Sequence, residues 1–227
     1  MSAPHPLDRP VWSALTTRQA RFAWGNARAL RIDPEIGLFA ALADHAPESL
    51  AALAALAPDE GVIGLVEPET PPVPDGMALV SSALCHQMVA NAISARPADF
   101  AIVALGDADA PEMLALATLT KPGPFFARTH ALGDFVGAKV DGRLVAMAGE
   151  RMKPIGFTEV SGVCTHPDHR GKGYAAALMA HVATRILARG ETPFLHSYSD
   201  NVGAIALYER MGFVLRRQIR LTLLARA

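Results

Sequence analysis

The sequence predicts a mixed α/β fold in which central strands are joined by hairpins and later strands by helical crossovers. Three observations carry that reading. Residues 163–176, VCTHPDHRGKGYAA, pass from an apolar stretch through a Pro-containing turn and a glycine loop into an Ala-rich run, the order strand, loop, helix N-terminus. Residues 135–140 and 143–148 flank Asp141-Gly142, the two-residue turn of a hairpin. From Phe213 onward, apolar Phe213, Leu215, Ile219, Leu221 and Leu223 alternate with polar Arg216, Gln218, Arg220 and Thr222, which predicts a strand with one buried face.

Taken in order, the elements fall into two parts, residues 1–97 and 98–227, with a division read at ARPAD (95–99). The first part is rich in Ala and Leu. Residues 38–57 carry Leu38, Leu42, Leu50, Leu53 and Leu56 but are interrupted at Pro47, which predicts two short helices. Residues 61–67 read as a strand, 68–76 as a Pro-rich loop, and 77–93 as strand then helix. In the second part, 100–105 (FAIVAL) is a buried strand, and Asp107 with Pro111 opens a helix running to Thr120. The hairpin follows, then a strand over 157–165 and the glycine loop. A helix over 174–189 places Leu178, Val182 and Ile186 on one face and stops at Gly190. A strand at 194–198, a helix over 201–211 halted by Gly212, and the C-terminal strand complete the chain. The resulting order, β-α-β-β-β-α-β-α-β, is not a repeating βαβ array.

Composition narrows the function. The 227 residues carry a formal net charge of −1, with 51% apolar and 19% charged residues. Near-neutral charge argues against a dedicated nucleic-acid binder, which usually shows a basic stripe. The basic residues Arg216, Arg217 and Arg220 alternate with apolar ones and read as the solvent face of a strand. No stretch approaches the ~20 apolar residues of a membrane span, and the first residues lack the basic-then-apolar order of a signal peptide. A cytoplasmic protein is expected. Two cysteines, Cys85 and Cys164, are too few for a disulfide scaffold and read as reduced thiols.

The glycine loop offers free backbone N–H groups and a favourable helix dipole to an anion, and its glycines let a phosphate approach closely. A nucleotide P-loop fails twice, because Gly171-Lys172 is followed by Gly173 and the position five before Gly171 is His166. A dinucleotide fingerprint does occur as Gly171, Gly173 and Ala176, but four residues (His166 to His169) separate it from its strand. The third pattern is R-x-x-G-x-A, formed by Arg170, Gly173 and Ala175. Here the chain resembles the GNAT superfamily of acyl-CoA-dependent N-acyltransferases. The run Asn201, Ala204, Leu207, Tyr208, Gly212, Phe213 is similar to the family's second motif, and the lead-in from Val163 through His166-Pro167 to Gly171 is also family-like. The resemblance covers residues 98–227.

The resemblance implies a splayed, mixed central sheet flanked by helices, open after the strand ending at Thr165. It implies acetyl-CoA as co-substrate, its pantetheine arm against Val163, Cys164 and Thr165, and its pyrophosphate on the N–H groups of Arg170, Gly171, Lys172, Gly173, Tyr174, Ala175 and Ala176. Asn201 would be a helix N-cap, a pantetheine contact, or both. No metal is expected: His166 and His169 would need further ligands.

Acyl transfer to an amine needs deprotonation of the amine, stabilisation of the carbonyl oxygen and a proton for the departing thiolate. Glu159 is the candidate base, acting directly or through a water. Acids are disfavoured in strands, periodicity puts it on one face with Ser161, Val163 and Thr165, and some family members place a base Glu eleven residues before the loop's Gln/Arg, the spacing of Glu159 to Arg170. A salt-bridged or solvated edge glutamate is the plain alternative. Tyr208 is the candidate acid, since the family's tyrosine points at the thioester sulfur; a core aromatic is its alternative. His196 is a substrate contact, an accessory base or an ordinary half-buried histidine. Residues 1–97 resemble the degenerate lobe of two-lobed acyltransferases, or form a helical cap, and in either case should border the acceptor pocket.

The sequence thus points to transfer of an acetyl group to a primary amine, a small molecule or amino acid, without nucleic acid or membrane as partner. A different acyl-CoA donor, a non-catalytic acyl-CoA-binding regulator and a dinucleotide-dependent reductase are the alternatives. A homodimer through the C-terminal strand is open.

Overall fold

A computed structural model describes residues 5–94 and 97–227. The division read at 95–99 falls partly outside these residues. The chain runs α1 (Pro10–Leu15), β1 (Ala23–Gly25), β2 (Ala29–Ile32), β3 (Ala40–Leu42), α2 (Pro47–Leu56), β4 (Ile63–Glu67) and β5 (Met77–Val89). It continues β6 (Val103–Leu105), α3 (Ala110–Thr120), β7 (Phe135–Val140), β8 (Arg143–Glu150), β9 (Phe157–Thr165), α4 (Tyr174–Ala188), β10 (Thr192–Tyr198), α5 (Val202–Arg210) and β11 (Val214–Arg226).

An eight-stranded sheet in the order β4-β11-β5-β10-β9-β8-β7-β6 forms the frame, with a three-stranded sheet β1-β2-β3 beside it. Among the described residues, β9 and β10 are the one pair of neighbouring strands in the large sheet that runs parallel. The hairpin β7–β8 turns on Asp141 at φ 50° and Gly142 at φ 77°, the left-handed pair a two-residue turn requires. The mixed α/β class follows the sequence reading.

Four elements differ from it. The buried strand read over 100–105 is the three-residue edge strand β6, with Ala104 exposed. Residues 77–93 contain one long strand and no helix: β5 lies between β10 and β11 and pairs antiparallel with both. Residues 38–57 hold one helix, α2; the segment before Pro47 is β3, which pairs with β2. Helix propensity of Ala and Leu yields there to tertiary pairing. In β11 the register shifts between Leu215 and Arg217 and again between Leu223 and Leu224. The extra residue is Arg216 in β11 at the first shift and Val80 in β5 at the second. Val214 and Leu215 are exposed while Ile219, Thr222 and Leu224 are buried. Arg216 and Arg217 do not simply face solvent, because both donate to Asp8 Oδ1, at 2.7 and 2.8 Å.

The core lies on both faces of the large sheet. On one face α4 buries Leu178, Met179, Val182 and Ile186 against Met88, Val136, Val160 and Leu195. On the other, Leu7, Val11 and Leu15 pack with Phe39, Val66, Phe194 and Ile219. The first 97 residues therefore contribute strands to the sheet and a layer over it. No helix among the described residues is long and apolar enough to cross a membrane.

The sheet opens where β9 leaves β10. Their pairing is confined to Thr192–Phe157, Pro193–Thr158 and Phe194–Glu159. Beyond Glu159, β9 stays with β8 while β10 follows β5. Gly162 sits at the divergence with φ 63°, and a Cβ there would come within 2.9 Å of the Phe135 ring. Any other residue would meet both backbone strain and that ring.

Candidate active site

The groove between the diverging strands is bounded by β9, the glycine loop, the start of α4 and α5. Its volume is about 480 Å³, and Val163, Cys164, Thr165, Arg170, Gly171, Gly173, Tyr174, Ala175, Ala176, Asn201 and Tyr208 line it. Lys172 is exposed and outside it. The His166 N–H donates to Val145 O across the β8 side at 2.7 Å. Alternation then turns the N–H and C=O groups of Val163 and Thr165 to the open edge.

The loop fits an anion on two counts. Gly171 and Gly173 have φ of 78° and 81°, and a Cβ at either would meet no atom within 4 Å, so the space before them is open. The first backbone hydrogen bond of α4 is Ala177 N–H to Gly173 O; among the described residues the N–H groups from Gly171 to Ala176 donate to nothing. Six unpartnered donors at the positive end of a helix dipole suit a pyrophosphate. Thr165 Oγ1 and His169 Nδ1, both buried in this groove, also lack partners. Asn201 caps α5, its Oδ1 accepting from Ala204 N at 3.3 Å, and faces the groove as well.

Two further cavities meet this groove. One of about 130 Å³ is lined by Phe39, Val66, Cys85, Arg151, His196, Ser197, Tyr198, Ile219 and Leu221 on the far side of Tyr208. A smaller polar one lies between, lined by Ser161, Gly162, Val163, Arg151 and His196. Tyr208 and Pro122 border all three. The Tyr208 ring is mostly buried, which raises its phenol above the usual value and keeps it protonated.

Glu159 requires a correction. Its side chain is 0% exposed and lines none of these cavities. One oxygen accepts from Arg151 Nε at 2.8 Å and Met152 N at 3.3 Å, the other from Arg151 Nη2 and His196 Nδ1, both at 2.8 Å. Burial would raise its carboxyl, but the Arg151 guanidinium, helped by His196, overrides this and holds it far below the usual carboxylate range. A general base needs a free lone pair facing the amine and real proton affinity, and this carboxylate has neither.

His196 is equally committed. Gln87, fully buried on β5, accepts from Arg216 Nη1 at 2.8 Å through its oxygen and donates to Leu7 O at 2.8 Å through its nitrogen. Arginine only donates and a carbonyl only accepts, so the amide orientation is set. The same nitrogen lies 3.1 Å from His196 Nε2, which must accept, leaving the ring hydrogen on Nδ1 to be donated to Glu159. An unbroken chain, Asp8–Arg216–Gln87–His196–Glu159–Arg151, thus ties the N-terminus, β11, β5, β10 and β9 to the end of β8.

Sequence reasoning missed Arg151, Gln87 and Phe39. The available signal was an Arg directly after a buried strand; its partners lie on other elements. Cys85 and Cys164 are both pushed up to about 11, chiefly by burial, so neither offers a thiolate near neutrality.

Residues 103–213 match the Acetyltransferase (GNAT) family. The chain is similar over 99% of its length, and 100% of the other's, to a GNAT-family acetyltransferase structure from Novosphingobium aromaticivorans, at 47% identity and a TM-score of 0.92. A GCN5-related N-acetyltransferase from Kribbella flavida shares the fold at 22% identity and TM-score 0.67, covering 94% of this chain and 93% of its own. A GCN5-related N-acetyltransferase-like protein from Streptococcus suis shares it at 16% and 0.57, covering 94% and 91%. Comparison with curated protein sequences gives no match.

Proposed function

The chain belongs to the GNAT acetyltransferase family, and we propose that it moves the acetyl group of acetyl-CoA to a small primary amine by direct transfer in a ternary complex. The observation that carries this reading is the meeting of three cavities at Tyr208. The groove before the glycine loop takes the acyl-CoA, with Gly171, Lys172, Gly173, Tyr174, Ala175 and Ala176 presenting backbone donors to the pyrophosphate, Arg170 N–H being spent on Pro167 O, and Val163 and Thr165 offering strand edges to the pantetheine. The 130 Å³ cavity takes the acceptor. At ~10–15 Å³ per water it holds roughly ten waters' worth of atoms, which suits a small molecule.

The amine enters as its free base, having given its proton to solvent. Its nitrogen attacks the thioester carbonyl, an N–C bond forms and the C–S bond breaks. The thiolate takes the Tyr208 proton, and the proton leaving the new amide nitrogen restores the phenol. Burial keeps the phenol protonated until the thiolate departs, so the proton is at hand where negative charge develops on sulfur. The rate should rise with pH as the free-amine fraction grows.

Initial-rate measurements with both substrates varied test the proposal. Intersecting double-reciprocal lines are expected; parallel lines would mean an acetyl-enzyme and contradict direct transfer. Tyr208→Phe should lower kcat about 10²–10⁴-fold, the range of general acid catalysis, with acetyl-CoA affinity unchanged. An unaltered kcat would remove Tyr208 from the chemistry.

A further inference from the structure

The acceptor cavity has a chemical bias. Among the described residues lining it there is no Asp or Glu, and Arg151 is the one permanent cation. Phe39, Val66, Ile219 and Leu221 supply apolar walls. A polyamine or a basic peptide would find no anion there.

Arg151 is held so that one of its nitrogens, Nη1, keeps both of its N–H groups free. Its Nε and Nη2 are spent on Glu159. Its guanidinium carbon lies 4.8 Å from the Phe39 ring centre, which fixes the plane. Nη1 has no hydrogen-bond partner among the described residues, and it is not sealed from the cavities that Arg151 lines. Rotation toward another partner is blocked, since Glu159 is itself clamped by His196, and His196 by Gln87. Five N–H donors less the two given to Glu159 leave three, two on Nη1 and one on Nη2, and a mostly buried, oriented guanidinium with those donors unspent is a carboxylate receptor. The relay from Asp8 to Arg151 is the scaffold that aims it.

We infer that the acceptor is a small amine that also carries a carboxylate, an amino acid with an apolar side chain, bound with its carboxylate on Arg151 Nη1 and its side chain against Phe39, Val66, Ile219 and Leu221. This rests on the N-acyltransferase reading above. The carboxylate end lies at Arg151 and the amine end toward Tyr208, across the small polar cavity that both residues border.

The test is a matched acceptor panel: L-leucine, L-leucinamide and 3-methylbutylamine, alongside the other standard amino acids, with acetyl-CoA and CoA release as readout. The free amino acids with apolar side chains should be preferred in kcat/KM by about 10- to 100-fold over amide and amine, the size of a charge-assisted pair. The double variant Arg151→Gln/Glu159→Gln, which removes both charges of the pair together, should cut the kcat/KM preference for L-leucine over 3-methylbutylamine by a similar factor. Equal or better use of the amide or amine by the wild-type protein overturns the inference, even if the variant does not fold. So does acetyl-CoA binding with acetylation of none of the amino acids. Absence of acetyl-CoA binding would instead overturn the acyltransfer reading itself.

Discussion

At the scale of single residues, Glu159 shows how a carboxylate's environment decides its role. An acid in a strand beside the loop invited a catalytic reading, yet Arg151 and His196 consume its acceptor capacity. Removing one partner of such a pair leaves the other charge buried and unmatched. We predict that Glu159→Gln lowers unfolding free energy by ~3–5 kcal/mol, measured by urea denaturation near neutral pH. The folded-state carboxyl is depressed, so its stabilisation is complete above the ordinary value of 4.5 and drains as pH falls below it. The gap between wild type and Glu159→Gln should therefore narrow progressively below pH 4.5. Unchanged stability with lost turnover would return Glu159 to the chemistry.

At the scale of elements, legibility followed the source of each residue's contacts. The hairpin at Asp141-Gly142, β9, α4 with its Gly190 stop, and α5 between Asn201 and Gly212 are fixed by local rules of turn, period and cap, and the sequence reading matches them within a few residues. The glycine loop was legible for the same reason: φ of 78° and 81° at Gly171 and Gly173 is a backbone demand visible in the residues themselves. β5 was not legible. Its run MALVSSALCHQMV has no clean alternation, because its first half is exposed and its second half lies between β10 and β11 with Gln87 buried. β11 misled through the bulge at Arg216 and the one opposite it at Val80 of β5, which no residue in β11 announces. The acceptor side of the site failed for a related reason: Arg151, Gln87 and His196 acquire meaning only when three strands distant in sequence stand together.

At the scale of the whole molecule, the N-terminal part is built into the frame that holds the site. β5 is the neighbour of both β10 and β11, Gln87 orients His196, and Phe39 flanks Arg151. A fragment of residues 98–227 loses the strand between β10 and β11 and exposes Phe194 and Ile219, so we predict that it gives no cooperative thermal transition. A fragment that melts cooperatively and transfers acetyl groups would contradict this dependence. Acetyl transfer by this molecule requires that the glycine loop hold acyl-CoA. Calorimetric titration of acetyl-CoA into the wild-type protein and Gly173→Asp tests that most directly, since Asp tolerates a left-handed backbone while placing an anion where the pyrophosphate would lie. Micromolar binding to the wild type, abolished in Gly173→Asp, is the predicted result; no binding to the wild type, equal binding to both, or preference for NADH would contradict it.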